Sequence, residues 1–176
     1  MDDLLKYPIG KFSPQETYSE NDIQSSISRI ASLPARLESA VQGLTTVQLD
    51  TPYRDGGWTI RQVIHHMADS HMNAYIRFKW TITEETPMIK AYNEKAWAET
   101  PETSADPVIS LNVLKALHAK WIVLLKGLKP EHLKREFIHP ETKKNVPLAR
   151  IVMMYAWHGD HHLAHITELK KRKEWE

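Results

Sequence analysis

Four separate stretches of this chain repeat apolar residues at three- and four-residue steps, the spacing that lets one face of an α-helix leave water. In the first, Ile23, Ile27, Ile30, Leu33, Leu37 and Val41 predict a helix from about Glu20 to Gly43. Pro34 lies inside it and removes one i→i−4 hydrogen bond. The second opens at Thr59, which forms a T-x-x-Q capping box with Gln62, and its apolar face runs from Ile60 through Met67 to Phe78. Asp106 followed by Pro107 starts the third, which carries Leu111, Leu114, Trp121 and Leu125 towards Gly127. The fourth runs from Leu148 to about Arg172. Four amphipathic helices must bury their faces on one another, so the expected class is all-α and the expected architecture a four-helix bundle.

The segments between the helices carry different signals. Residues 1–19 contain two prolines and no period, and read as an irregular arm whose Tyr7, Ile9 and Phe12 need a surface groove to hold them. Residues from about 85 to 105 form a long crossover between helices 2 and 3, and loops of that length inside a compact domain are often functional. "FIHPETKKNVPL" predicts a short hairpin or loop before helix 4. A chain of 176 residues without repeats suits one domain spanning 1–176.

Composition narrows the chemistry. There is no cysteine, which excludes disulfides, thiolate nucleophiles and Cys-based zinc or iron–sulfur sites. Histidine therefore carries the capacity for metal chemistry. With 23 basic and 22 acidic side chains the formal charge is +1, so nothing electrostatic recommends nucleic acid or an anionic membrane as partner. The N-terminus has acids where a signal peptide has bases, and no apolar run approaches the ~18–20 residues of a membrane span. The expectation is a soluble, cytoplasmic protein.

The last helix holds "YAWHGDHHLAHITEL", with four histidines. At about 100° per residue, and with His158 set at zero, Ile151, Tyr155 and Ile166 define a buried stripe centred near about +50°. His162 falls inside that stripe, His158 at its edge, and His165 just beyond it. His161 lies well off it and is expected on the surface. His158 and His162, spaced i, i+4, stack on one face and can chelate one ion, as the two histidines of an HExxH helix do, although the glutamate of that motif is missing here. Two neutral imidazoles in a core are costly without a partner for each nitrogen, which makes a metal about as good an explanation as hydrogen-bonded packing. A third ligand must come from another helix. "VIHHMADSH" offers His65, His66 and His71, of which periodicity prefers His71.

Two motifs together, "GGWTIRQVIHHMADSH" and "HGDHHLAHITEL", resemble the DinB-like superfamily, and within it the YfiT-like metal-dependent hydrolases. "YPIG", "LDTPYRDGGW", "TEETP" and "EKAW" extend the resemblance over nearly the whole chain. It implies a bundle holding one divalent metal per subunit, zinc or nickel, on His66, His158 and His162, in a homodimer. His66 replaces the His71 of the periodicity argument; it shares a face with Ser70, Asn73 and Arg77, a second, polar strip on helix 2. Many superfamily members have glutamine where this chain has His165. Three neutral histidines around a tetrahedral ion leave a position for water, the arrangement of a catalytic site.

The first functional reading is hydrolysis by water activated on that metal. The second is transfer to a low-molecular-weight thiol such as bacillithiol, with Arg77 and Arg54 available for the thiol's carboxylates. The third is a metal-binding bundle without catalysis. Candidates for acid–base work are Asp69, Glu84 and His165, with surface charge the competing explanation for the two acids. Trp97 and Tyr92 in the crossover are candidates for a pocket wall.

Overall fold

In the computed structural model, which describes residues 2–175, four long helices form the frame: α1 (Glu20–Val41), α2 (Ile60–Thr83), α3 (Val108–Lys126) and α4 (Leu148–Arg172). Three of the four starts are capped by side chains, and α4 follows Pro147 without one. Ser19 Oγ accepts from Asp22 N (3.2 Å) while the Asp22 carboxylate accepts from Ser19 N (2.9 Å). Thr59 and Gln62 make the same reciprocal pair at α2. At α3 the Asp106 carboxylate accepts from Val108 N at 2.9 Å, which satisfies a backbone donor with no intrahelical acceptor. After α1 the chain turns through Gly43, whose φ of +79° needs a residue without a Cβ.

The helices are not joined to their spatial neighbours in the simple up-and-down manner. α1 packs on α3 and α4, and α2 packs on the same two. Consecutive α1 and α2 therefore occupy opposite corners, as do α3 and α4. The connections that span these diagonals are long: 42–59 carries a helical turn at Thr46–Leu49, and 127–147 carries another at Pro130–Leu133 and a hairpin. The expected hairpin is present as β1 (Glu136–Ile138) and β2 (Asn145–Pro147), antiparallel with Phe137 opposite Val146. The crossover docks on it, since Ile138 N donates to Pro87 O and Ile89 N donates to Ile138 O.

Two expectations need correcting. The N-terminal arm is not wholly irregular, because Asp2–Lys6 forms a helical turn. By length and a mean hydropathy of 1.6, Val108–Lys126 qualifies as a membrane span, against the reading that no such run exists. In the bundle it instead buries Leu114, His118, Trp121 and Leu125 against α1 and α2, while Val113 and Val123 stay exposed.

The interior is divided. One apolar cluster gathers Ile27, Phe78, Trp121, Phe137 and Val152 with their neighbours. A second gathers Leu37, Ile64, Met67, Leu114 and Ile166. Between them along every helix except α1 sits a histidine: His71 on α2 between Met67 and Ala74, His118 on α3 between Leu114 and Trp121, and His158 and His162 on α4 between Tyr155 and Ile166. A polar layer crossing a core in this way is costly unless each nitrogen has a partner.

Candidate metal centre

His66, His158 and His162 come together where α2 faces α4. A ligand nitrogen from each lies within 4.8 Å of the others. Nε2 of His66 and Nε2 of His158 are 3.3 Å apart, and two nitrogens each about 2.0–2.1 Å from one tetrahedral zinc stand about 3.3 Å apart. His162 Nδ1 is buried without a hydrogen-bond partner. Burial pushes the His66 pKa down to about 4. Burial, then the neighbouring imidazoles, hold His158 and His162 well below the ordinary histidine value. All three are neutral at pH 7, the form in which imidazole binds a metal. The donor set therefore fits a divalent ion of the borderline class.

The surroundings hold these rings in place. Trp58, at the end of the "YRDGGW" loop, lies 4.5 Å from the His66 ring and 6.4 Å from the His162 ring, centroid to centroid. The loop brings it there by a tight return in which Tyr53 N donates to Trp58 O, with Gly56 at φ +63°. A Cβ on Gly57 would meet Arg54 Cγ at 2.8 Å, so this turn tolerates no side chain there.

His71, which periodicity favoured, is fully buried one layer away from the three-histidine group. Its Nε2 lies 3.1 Å from His158 Nδ1 and its Nδ1 lies 2.9 Å from His118 Nε2. It touches a candidate ligand through the ligand's far nitrogen. Periodicity located the core stripe of α2, whereas His66, the candidate ligand, lies on the adjacent strip with Ser70 and Arg77, all buried.

His161, expected on the surface, is buried at 7% exposure. A wheel of α4 does not contain the N-terminal arm, which covers that side. The ring of Tyr7 lies 5.9 Å away and that of Trp157 stacks at 4.5 Å. Trp157 Nε1 donates to Gly10 O, Phe12 packs on Trp157 at 6.0 Å, and Ile9 remains exposed. His165 Nε2 bonds Lys6 O at 3.2 Å, and its ring stacks on Tyr53 at 3.9 Å. With His161 and His162 it makes a second group of nitrogens within 4.8 Å.

A cavity of about 320 Å³ opens beside the group, lined by His66, His158, Ser70, Arg77, Tyr92 and Tyr155, with Glu94, His139 and Glu141 at its rim. Arg77 is 9% exposed; one Nη donates to Lys90 O at 3.3 Å, and its Nε has no partner. No carboxylate lies within 4 Å of it among the described residues. Burial pushes the Tyr92 hydroxyl up to about 12 and raises that of Tyr155, so both are donors at neutral pH. Tyr92 packs on Trp97 at 4.7 Å, which makes the pair part of one wall, although only Tyr92 reaches the cavity. Asp69 is half-buried with its pKa raised to about 6 by burial and then by Glu102, but it does not line the cavity. Glu84 caps the far end of α2, exposed, about 27 Å along the axis from His66 at ~1.5 Å per residue. A larger groove of about 730 Å³ between Glu38, Leu44 and Asp106 holds no histidine.

Comparison with known proteins follows the same lines. The family model described as the DinB superfamily matches residues 29–166. The chain is 51% identical over 172 residues to "Putative metal-dependent hydrolase YfiT" of Bacillus subtilis, covering 97% of each. It is 46% identical over 171 residues to a protein of the same description from Bacillus pumilus, covering 97% and 98%. The solved structure of the B. subtilis protein, described as having an unusual four-helix bundle topology, superposes with a TM-score of 0.96 over 98% of this chain and 99% of that one. A mycothiol-dependent maleylpyruvate isomerase shares the fold at a TM-score of 0.64 and 15% identity, over 82% of this chain and 60% of that one.

Proposed function

The chain belongs to the DinB superfamily, and on that premise we propose that it is a metal-dependent hydrolase of a small molecule bearing an anionic group. The observation that carries this reading is the group of His66, His158 and His162, neutral and largely removed from water, beside a cavity that His66 and His158 line together with Arg77, which has no carboxylate partner among the described residues. His66, His158 and His162 would hold a divalent ion, zinc or nickel, which would supply Lewis acidity and lower the pKa of water towards about 7.

The chain's own residues supply the rest. A buried cation without a counter-charge is costly, and an anionic group of the ligand seated on the Arg77 guanidinium removes that cost. His66 and Arg77 line the same cavity, so an anionic group on Arg77 and the reacting centre beside His66 belong to one ligand. Tyr92 and Tyr155 donate hydrogen bonds into the space between, where oxygen charge develops during attack on a carbonyl. Trp58 shields His66 and His162 from water. Arg77 also favours a second reading, transfer to a thiol that carries carboxylates.

The test begins with metal analysis of untagged protein: about one ion per chain is expected, lost in His66→Ala and in His162→Ala. Ester pairs that differ only in a terminal carboxylate then probe substrate class. Preference for the anionic ester in kcat/KM is expected, and Arg77→Gln should reduce that preference by about tenfold or more, the loss of one charge-assisted contact. No bound metal after repletion rejects the hydrolase; turnover only with thiol–electrophile pairs selects the second reading.

A further inference from the structure

The polar layer that divides the core has a direction, and its origin is a proline. Pro34 lies inside α1 and has no N–H. The carbonyl it would have bonded, four residues back, is that of Ile30, a residue with no exposed surface. A buried carbonyl without a donor is costly. Here the donor is His118, whose Nδ1 lies 2.8 Å from Ile30 O.

A carbonyl only accepts, so His118 Nδ1 carries the hydrogen. A neutral imidazole has one N–H, so His118 Nε2 presents a lone pair. That nitrogen is 2.9 Å from His71 Nδ1, which must then donate, leaving His71 Nε2 as an acceptor. His71 Nε2 is 3.1 Å from His158 Nδ1, which must donate in turn. The only nitrogen left without a hydrogen on His158 is Nε2, the one that faces His66 Nε2 at 3.3 Å. Each link joins helices that pack on each other: α1 to α3, α3 to α2, α2 to α4.

We propose that Pro34, through the Ile30 carbonyl, sets the tautomers of His118, His71 and His158, so that His158 Nε2 is held as a bare lone pair aimed at the metal position. His71 and His118 are positioning residues: they touch no metal, and they orient a ligand and fix its tautomer as second-layer partners of metal-binding histidines do. The proposal rests on the three-histidine site and adds to it the reason the histidine layer crosses the whole bundle. Core packing alone would need only that the nitrogens be satisfied, with the hydrogens running either way; the carbonyl at one end permits a single direction.

Nitrogen-15 spectra of the histidines in metal-free parent protein give the first test and need no variant. Protonated Nδ1 and bare Nε2 at His118, His71 and His158 is the expected result, and a protonated Nε2 at His158 overturns the proposal. Metal affinity by chelator competition gives the second, with unfolding curves of the metal-free variants recorded alongside. His71→Leu and His118→Leu are expected to weaken binding by about 10- to 100-fold. His118→Gln, whose amide oxygen can accept from His71 Nδ1, should recover part of that loss. Affinity within about twofold of the parent in folded His71→Leu and His118→Leu protein would make the two residues purely structural, against the proposal. If neither leucine variant folds, the parent's tautomers decide the matter. Failure of the site itself shows up separately, as metal binding that survives His66→Ala and His162→Ala.

Discussion

Gly159 sits between His158 and Asp160, and its role is invisible in the sequence. A Cβ there would meet Leu33 Cδ2 at 2.5 Å, and Leu33 is 1% exposed, with little room to yield. Helix propensity alone favours alanine over glycine by about 1 kcal/mol in a helix interior. The contact reverses the sign: Gly159→Ala is expected to lower stability by about 1–3 kcal/mol, the usual range for overpacking. Thermal or urea unfolding of the metal-free protein checks it, and a more stable variant would show that α1 and α4 separate freely. At this scale the sequence was legible in part. His158 and His162 could be placed inward by angle because their neighbours Tyr155 and Ile166 mark the stripe. His66 could not, since its strip on α2 faces a cavity rather than the apolar core. His161 was placed on the surface because a helical wheel does not contain the arm that covers it.

Between elements, α1 and α4 are tied by Asp160. Its carboxylate meets Arg29 Nη at 2.6 Å and Arg36 Nη at 2.7 Å, with Arg29 Nε at 2.7 Å as well. The arginines are about 40% exposed, so solvent screens the pair and each bridge is worth well under its Coulomb energy in a dry interior. Asp160→Asn should therefore cost only about 1 kcal/mol. The difference between parent and variant should shrink in 1 M salt, where the Debye length falls to ~3 Å. A cost that does not change with salt would mean that hydrogen-bond geometry rather than charge holds the helices. The starts of α2 and α3 were legible from their caps, because caps act over three or four residues; α4, which has no side-chain cap, was legible only from its apolar period. The helical turns at Glu94–Trp97 and Pro101–Ser104 were not: four residues are too few to show a period.

For the molecule as a whole, the histidine layer links stability to pH. His66, His118, His161 and His165 are each pushed down to about 4, chiefly by burial, from 6.5. Between those values the unfolded chain binds protons that the native one does not, so stability falls as pH falls through that window. Each group contributes up to about 1.4 kcal/mol per pH unit. Urea midpoints of metal-free protein are expected to be level above about pH 6.5 and to drop steeply towards pH 4. A flat profile across that window would mean that the buried imidazoles are hydrated.

What the sequence determined by itself is what repeats along one chain segment: four amphipathic helices, the capped starts of α2 and α3, the inward pair His158 and His162, and the absence of cysteine that leaves metal chemistry to histidine. Tertiary structure decided what depends on two segments meeting. The diagonal order of the helices follows from long connections whose paths no local pattern encodes. That His66 meets Nε2 of His158 while His71 meets its Nδ1 depends on how α2 packs on α4. The acceptor for His118 exists because a proline in α1 frees a carbonyl that only the folded bundle brings within 2.8 Å. Periodicity reports which face of a helix leaves water; it carries no information about which neighbour receives that face.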